Sequence, residues 1–205
     1  MLYSEIKRET LSHIHRYTVA GKPVSASYNN QADYLNRIPV FINEALVNIL
    51  TLVKREATVY PLTDGEEYGD CLRHELPDDF YTLRSGGVSR IRNGRFEPTN
   101  NYRLQGKKYI LIPKGEDGEY TVEYYRYPNL LPLDAKDSFN LKEDIEVIQT
   151  ATYYAAAQLA LYDDEFLYAS LYNDYESRLS RLSPGISTEA RAVDDAYGFT
   201  AGWCE

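Results

Sequence analysis

Residues 120–127 read YTVEYYRY, and this stretch decides the fold class. Its alternation puts Tyr120, Val122, Tyr124 and Arg126 on one face and Thr121, Glu123, Tyr125 and Tyr127 on the other, the two-residue period of a strand. It closes a segment, about residues 57–128, in which helical periodicity is absent and turn signals are dense: Gly65, Gly69, Gly86-Gly87, Asn93-Gly94, Gly106, and Gly115 to Gly118. Thr58–Leu62, Phe80–Leu83, Val88–Arg92 and the apolar run Tyr109–Ile112 read as further strands. Asn93-Gly94 predicts a hairpin with a type I′ turn, since both central residues of that turn need φ > 0. Gly86-Gly87 reads as a turn, not a phosphate cradle. Five or six short antiparallel strands predict a small sandwich or a partly open barrel.

Both flanks are helical. In residues 1–56, Ser4 is placed to cap a first helix carrying Ile6, Thr10, Ile14 and Tyr17 at helical spacing, with Gly21-Lys22-Pro23 as its stop. Val24–Asn30 reads as a polar loop. A second helix is expected to start between Gln31 and Asp33, with Leu35, Ile38, Ile42, Leu46, Ile49 and Val53 as its apolar stripe. Pro39 interrupts it and predicts either a kink or a start near Arg37. Lys54 and Arg55 suit the negative end of its dipole. Residues 129–183 hold an ordered connector (Asn129–Asn140), then a helix over about Lys142–Tyr162 with Ile145, Ile148, Thr152, Ala155, Leu159 and Tyr162 as its buried stripe. Asp163-Asp164 caps a last helix, which carries Tyr168, Tyr172, Tyr175, Leu179 and Leu182 on one face and ends at Ser183-Pro184-Gly185. Residues 184–205 lack periodicity and read as an extended tail. The expected class is α+β: a helical subdomain of two N-terminal and two C-terminal helices, with a small antiparallel β-domain inserted.

Composition bounds the rest. The chain has 205 residues, 43% apolar and 26% charged, the balance of an ordinary globular protein with a sizeable core. No apolar run approaches the length of a bilayer span, and no basic-then-apolar stretch opens the chain, so neither membrane insertion nor a signal peptide is expected. The formal charge is −9, which argues against nucleic-acid binding over the whole surface. Two cysteines, Cys71 and Cys204, and three histidines write no zinc-finger spacing and do not predict a disulfide. Tyrosine is the unusual component, with 20 residues against six Phe and one Trp. It suits a β-rich core with wet edges or a surface covered by a partner, and composition does not separate these.

No catalytic, metal or cofactor constellation emerges. His13 and His15 cannot share a helix face and read as surface or interface residues. His74 and Cys71 are close in sequence, yet no oxyanion signature accompanies them. Asp64, Glu66, Glu67, Asp70, Glu75, Asp78 and Asp79 form an acidic stretch without calcium-loop spacing, expected to be a solvated loop. Walker-type, dinucleotide and nucleophile-elbow patterns are absent. One charge feature stands out. Arg84, Arg90, Arg92, Arg95, Arg103, Lys107 and Lys108 face only Glu97 within their window, giving it +6 and leaving −15 for the remainder. This is either the polar face of a sheet or a patch for a phosphate backbone or an acidic neighbouring subunit.

The order of these parts carries a resemblance. Leu76-Pro77-Asp78-Asp79-Phe80 opens the strand-rich segment and Thr121-Val122-Glu123-Tyr124-Tyr125-Arg126-Tyr127-Pro128 closes it. Tyr153-Tyr154-Ala155-Ala156-Ala157-Gln158-Leu159 and Tyr172-Asn173-Asp174-Tyr175-Glu176-Ser177-Arg178-Leu179 follow in the helical pair. Over about residues 1–183 the chain resembles the head-to-tail connector, or adaptor, proteins of tailed bacteriophages. The resemblance implies a non-enzymatic virion protein at the capsid–tail junction, made in the host bacterial cytoplasm. It implies a homo-oligomeric ring, commonly twelvefold, between the portal protein and a tail or stopper protein, around the channel that DNA crosses. By the same analogy the tail docks on the portal through Ile186, Val193, Tyr197, Phe199 and Trp203, although folding back is an alternative for those residues. The basic residues then line the channel or touch the next subunit. A rival from another class is a phage tail or baseplate subunit whose tyrosine-rich β-domain binds carbohydrate; that needs tyrosines gathered on one face beside carboxylates or amides. An enzyme is the weakest reading.

Overall fold

The computed structural model describes residues 1–15, 28–63, 65–115, 118–161 and 163–183; the side chains of residues 28–32 are outside the description. Four helices and two small antiparallel sheets make the fold α+β.

Helix α1 covers Tyr3–His13 and α2 covers Tyr28–Asn48. The backbone of α2 runs on into a π-helical turn, Ile49–Val53, closed by Lys54 N–H donating to the Ile49 carbonyl at 2.8 Å. α3 spans Ile145–Ala160 and α4 spans Glu165–Leu182. α3 is the centre of the body, contacted by the other three helices. It is buried almost all round, and Ala155, Ala156 and Ala157 have no exposed surface, so neighbouring backbones approach closely. Ile6, Leu11, Ile38, Ile42, Leu46 and Ile49 from the N-terminal half join Ile148, Ala155, Leu171 and Tyr175 from the C-terminal half in one apolar cluster. The connector belongs to this body. Tyr3 N–H donates to Phe139, Leu141 N–H donates to Met1, and Asn43 brackets Leu131 by hydrogen bonds to both its N–H and its carbonyl.

Several helical expectations need correction. Leu2, not Ser4, precedes the first helical residue, and the Glu5 carboxylate accepts the Leu2 N–H at 2.9 Å, so an acidic side chain performs the capping that a serine was expected to do. α1 ends at His13, with His15 at φ +56°, well before Gly21; Tyr17 and the Gly21-Lys22-Pro23 stop lie outside the described residues. α2 begins at Tyr28, three residues upstream of the expected range, and runs through Pro39. An interior proline forfeits a hydrogen bond and costs about 3 kcal/mol, but Ile38, Ile42 and Leu46 around it are fully buried, and their burial at about 1.5–3 kcal/mol per side chain outweighs it. Ile145 is 59% exposed, because α3 starts there, after the Asp144 cap, and its first turn overhangs the core. Asp164 caps α4 as expected, accepting Leu167 N–H at 2.9 Å.

The β-domain has eight strands, not five or six. β1 (Ala57–Leu62), β8 (Glu119–Arg126), β4 (Phe80–Arg92) and β5 (Arg95–Pro98) form one sheet in that order. β2 (Glu66–Tyr68), β3 (Cys71–Glu75), β7 (Tyr109–Pro113) and β6 (Arg103–Gln105) form the second. Leu62, Val88, Tyr120, Val122 and Tyr124 of the first meet Ile110 and Ile112 of the second, a sandwich core separate from the helical one. Asn93 and Gly94 have φ of 52° and 74°, as the type I′ hairpin requires. Gly86-Gly87 is no turn between strands. It lies within β4, where Leu83 pairs with Tyr124 but Val88 pairs with Val122, so that four residues of β4 bulge opposite Glu123. A Cβ on Gly87 would lie 2.3 Å from the Glu123 carbonyl oxygen, so only glycine fits.

One guanidinium joins the two parts. Arg126 ends β8, and its N–H groups reach Glu56, just before β1, and Glu143, just before α3, at 2.5–3.0 Å. The Glu143 side chain is fully buried and also accepts the backbone and side-chain N–H groups of Asn129. Burial pushes the Glu143 carboxyl up, but hydrogen bonds from Arg126 and Asn129 prevail and hold its pKa below the usual value. Hydrogen bonds to Glu143 and Glu56, against the cost of burial, raise the Arg126 pKa. Removing the cation strands a buried carboxylate, a loss of about 3–5 kcal/mol. Arg126→Met is therefore expected to lower unfolding stability in urea by about that amount, and Glu143→Gln by less, since Arg126 keeps Glu56. Equal losses in the two variants would contradict this account of the junction.

Candidate functional site

The seven basic residues are divided between the two sheets. Arg84, Arg90 and Arg92 lie on β4 and Arg95 on β5, in the first sheet. Arg103 lies on β6, and Lys107 and Lys108 lie in the turn to β7, in the second. Carboxylates from outside the sequence window neutralise part of the charge: Arg84 pairs with Glu123, and Lys108 lies 3.3 Å from Glu75. Arg90 meets Glu97 at 3.1 Å, and Lys107 sits over the Tyr81 ring at 5.0 Å. Arg92, Arg95 and Arg103 have no ion-pair partner among the described residues. Arg92 and Arg95 are paired across the hairpin and exposed, so like charges are held together at its tip.

The acidic stretch is not a solvated loop. It supplies β2 and most of β3, with Glu66 on Arg73 at 2.5 Å and Glu67 on Lys114 at 3.0 Å. Alternating charge concealed these strands, because the charged residues occupy outer faces and edges. Asp64 lies outside the described residues. Among those described, no group of three or more His, Cys, Asp or Glu side chains is arranged to hold a metal ion. Cys71 is a free thiol. His74 is buried beneath Gly65, its Nδ1 3.3 Å from the Thr63 carbonyl oxygen, while Cys71, three residues away on the same strand, points to the opposite face. They form no nucleophile–base pair.

His13 is half-buried, against the helical body. Its ring stacks on Tyr153 with centroids 4.0 Å apart, and Arg178 covers the same ring at 4.1 Å. Burial, with the Arg178 charge, lowers the His13 pKa to about 4, against a smaller opposing effect of Asp174.

The tyrosines divide between the two cores. Tyr120 and Tyr124 are buried in the sandwich, and Tyr3, Tyr34, Tyr154 and Tyr175 in the helical body. Tyr154, Tyr172 and Tyr175 form a contiguous ring contact between α3 and α4. On the outer face of the second sheet, Tyr68 and Tyr109 flank Arg73, whose guanidinium lies over both rings at 5.4 and 4.6 Å.

The opening and closing motifs of the β-domain meet. Asp79 accepts the Tyr124 hydroxyl at 2.7 Å through its carboxylate and the Tyr127 N–H at 2.6 Å through its carbonyl. Phe80 pairs with Arg126, and its ring lies 5.5 Å from that of Tyr124. Sequence reading identified both segments but not their junction or Arg126, because the partner carboxylates lie 70 and 17 residues away. Ile186, Val193, Tyr197, Phe199 and Trp203 lie outside the described residues. No helix among the described residues is long and apolar enough to cross a membrane. Compared with known proteins, the chain matches no family model and no curated protein.

His13 gives a pH test. Its folded pKa lies below the unfolded value near 6.5, so its contribution is complete above about pH 6.5 and is lost as pH falls toward 4. The urea midpoint of the wild type is expected to drop more between those pH values than that of His13→Asn. Parallel pH profiles would show that the ring is not held neutral by its burial.

Proposed function

We propose that this protein is a virion structural protein: a ring-forming adaptor that links the capsid portal to the tail and surrounds the DNA channel. The observation that carries the reading is the meeting of the two motifs on which the resemblance rests. Leu76-Pro77-Asp78-Asp79-Phe80 and Thr121–Pro128 are bound to each other through Asp79, Tyr124 and Tyr127, at the place where the β-domain joins the helices. The other two motifs supply the central helix and its tyrosine contact with α4. Thus all four stretches serve the junction or the core, the positions a family-wide architecture would need to keep.

In this reading the partners are the portal protein, a tail or stopper protein and further copies of the chain, in a ring of about twelve, with DNA passing through. The protein then resides at the capsid–tail junction of the virion. Ile186, Val193, Tyr197, Phe199 and Trp203 supply apolar anchors for the portal, as large side chains do at interface hot spots. The carbohydrate-binding alternative draws on Tyr68 and Tyr109, which stand beside Glu66 and Glu75 on one sheet face. Arg73 already occupies both rings, so a sugar would have to displace it, and the adaptor reading is preferred.

Density-gradient sedimentation with the portal ring encoded in the same gene cluster tests the proposal. Full-length protein is expected to migrate with the portal as an added collar visible by electron microscopy. A variant lacking Ser183–Glu205 is expected to keep its circular dichroism and remain at the top of the gradient. Full-length protein that stays at the top would sink the adaptor reading; joining by the truncated form would sink only the docking role of the tail.

A further inference from the structure

The β4–β5 hairpin is built as a projection. None of the four β5 residues is buried, and Phe96 is 65% exposed. Arg92 and Arg95 stand directly opposite each other with no carboxylate paired to either among the described residues. Like charges opposed across a hairpin are destabilising, and an exposed edge strand bearing a phenylalanine invites association. Arg92 and Arg95 share one face of the hairpin and Phe96 lies on the other, so a surface that receives the tip must offer carboxylates to one face and apolar contact to the other.

The same chain carries such a surface. At the head of α4, Phe166 is 91% exposed, the highest value among the described large apolar side chains. Glu165 precedes it, and beside it lies an open hollow of about 350 Å³ lined by Ile14, Tyr34, Leu159 and Leu167, with Asp163 and Asp164 also on its wall. Asp163 accepts the Tyr34 hydroxyl and Asp164 caps α4, so these carboxylates are held in place.

We propose that the hairpin tip of one molecule docks on the α4 head of a second copy, placing Arg92 and Arg95 against Glu165 and its neighbouring aspartates, and Phe96 against Phe166 and the apolar wall of the hollow. This rests on the ring reading above and names the contact between its subunits. The two patches differ, so the contact is heterologous: each molecule offers a hairpin to one neighbour and a helix head to the other, and the chain of contacts closes if its rotation permits. A second copy fits better than nucleic acid, because a phosphate backbone would satisfy the arginines and leave Phe96 and Phe166 uncovered.

Sedimentation velocity of the full chain, over rising concentration at low (about 0.05 M) and high (about 0.5 M) salt, tests the contact. Self-association is expected at low salt and should weaken at high salt. Arg92→Glu with Arg95→Glu, and separately Glu165→Lys, should each weaken it by about tenfold or more, with unchanged circular dichroism. Combining the three substitutions in one chain should recover part of the association lost on reversing the arginines, since one of the three facing carboxylates is then a cation, and Phe166→Ser should weaken it at both salt concentrations. A monomer at every concentration would overturn the proposal, as would association insensitive to the arginine reversals or no recovery in the combined variant. Binding of duplex DNA through Arg92 and Arg95 without self-association would also overturn it. Migration with the portal is scored separately, so a monomeric protein that still joins the portal would remove this contact and leave the adaptor reading standing.

Discussion

A single half-buried guanidinium, paired with a fully buried carboxylate, ties the two parts of the molecule together. The sandwich leaves and rejoins the helical body through residues near Glu56 and Arg126, and α3 starts just after Glu143. Arg126 binds both carboxylates, and the Glu143 side chain has no exposed surface. A lone arginine or glutamate at that depth would be costly. Held together, with Asn129 filling the remaining acceptor capacity, they fix where each chain crossing lies. Two separate apolar cores follow from this arrangement, one helical and one between the sheets. No buried residue is shared between the two clusters, and Arg126 with its two carboxylates bridges them.

The fold class was legible because periodicity is a local signal. Tyr120–Tyr127 alternates and forms β8, and the apolar stripe from Ile38 to Ile49 repeats at helical spacing and lies in the core. Asn93-Gly94 names its own turn. The failures share a cause: they depend on partners distant in sequence. β2 and β3 hide in an acidic stretch because β3 pairs with β7, distant in sequence, and Lys114 just beyond β7 meets Glu67. Pro39 is tolerated because the side chains around it are buried by other helices. Gly86-Gly87 looks like a turn until the register with β8 shows a bulge. Part of the charge of the basic window is neutralised from a distance too, since Glu75 and Glu123 lie outside it.

What survives of that window is small and localised. Arg92 and Arg95 at the tip of an exposed hairpin carry charge the fold does not use, and the α4 head carries the opposite sign beside an exposed phenylalanine. Some tyrosines serve the interior: Tyr124 ties the β-domain shut through Asp79, and Tyr154 and Tyr175 lie between α3 and α4. The proposed adaptor role needs a rigid body with surfaces held at a fixed separation. Here the hairpin belongs to the sandwich and the helix head to the bundle, so their geometry is only as fixed as the Arg126 junction.

The central claim is that this junction makes the two cores one cooperative unit. Native-state hydrogen exchange under increasing denaturant, followed by mass spectrometry, tests it most directly. The account predicts that protected amides in β8, such as those of Val122 and Tyr124, and in α3, such as those of Ala155 and Ala156, exchange through one opening of common free energy. A sandwich that opens at distinctly lower free energy while α3 stays protected would contradict it.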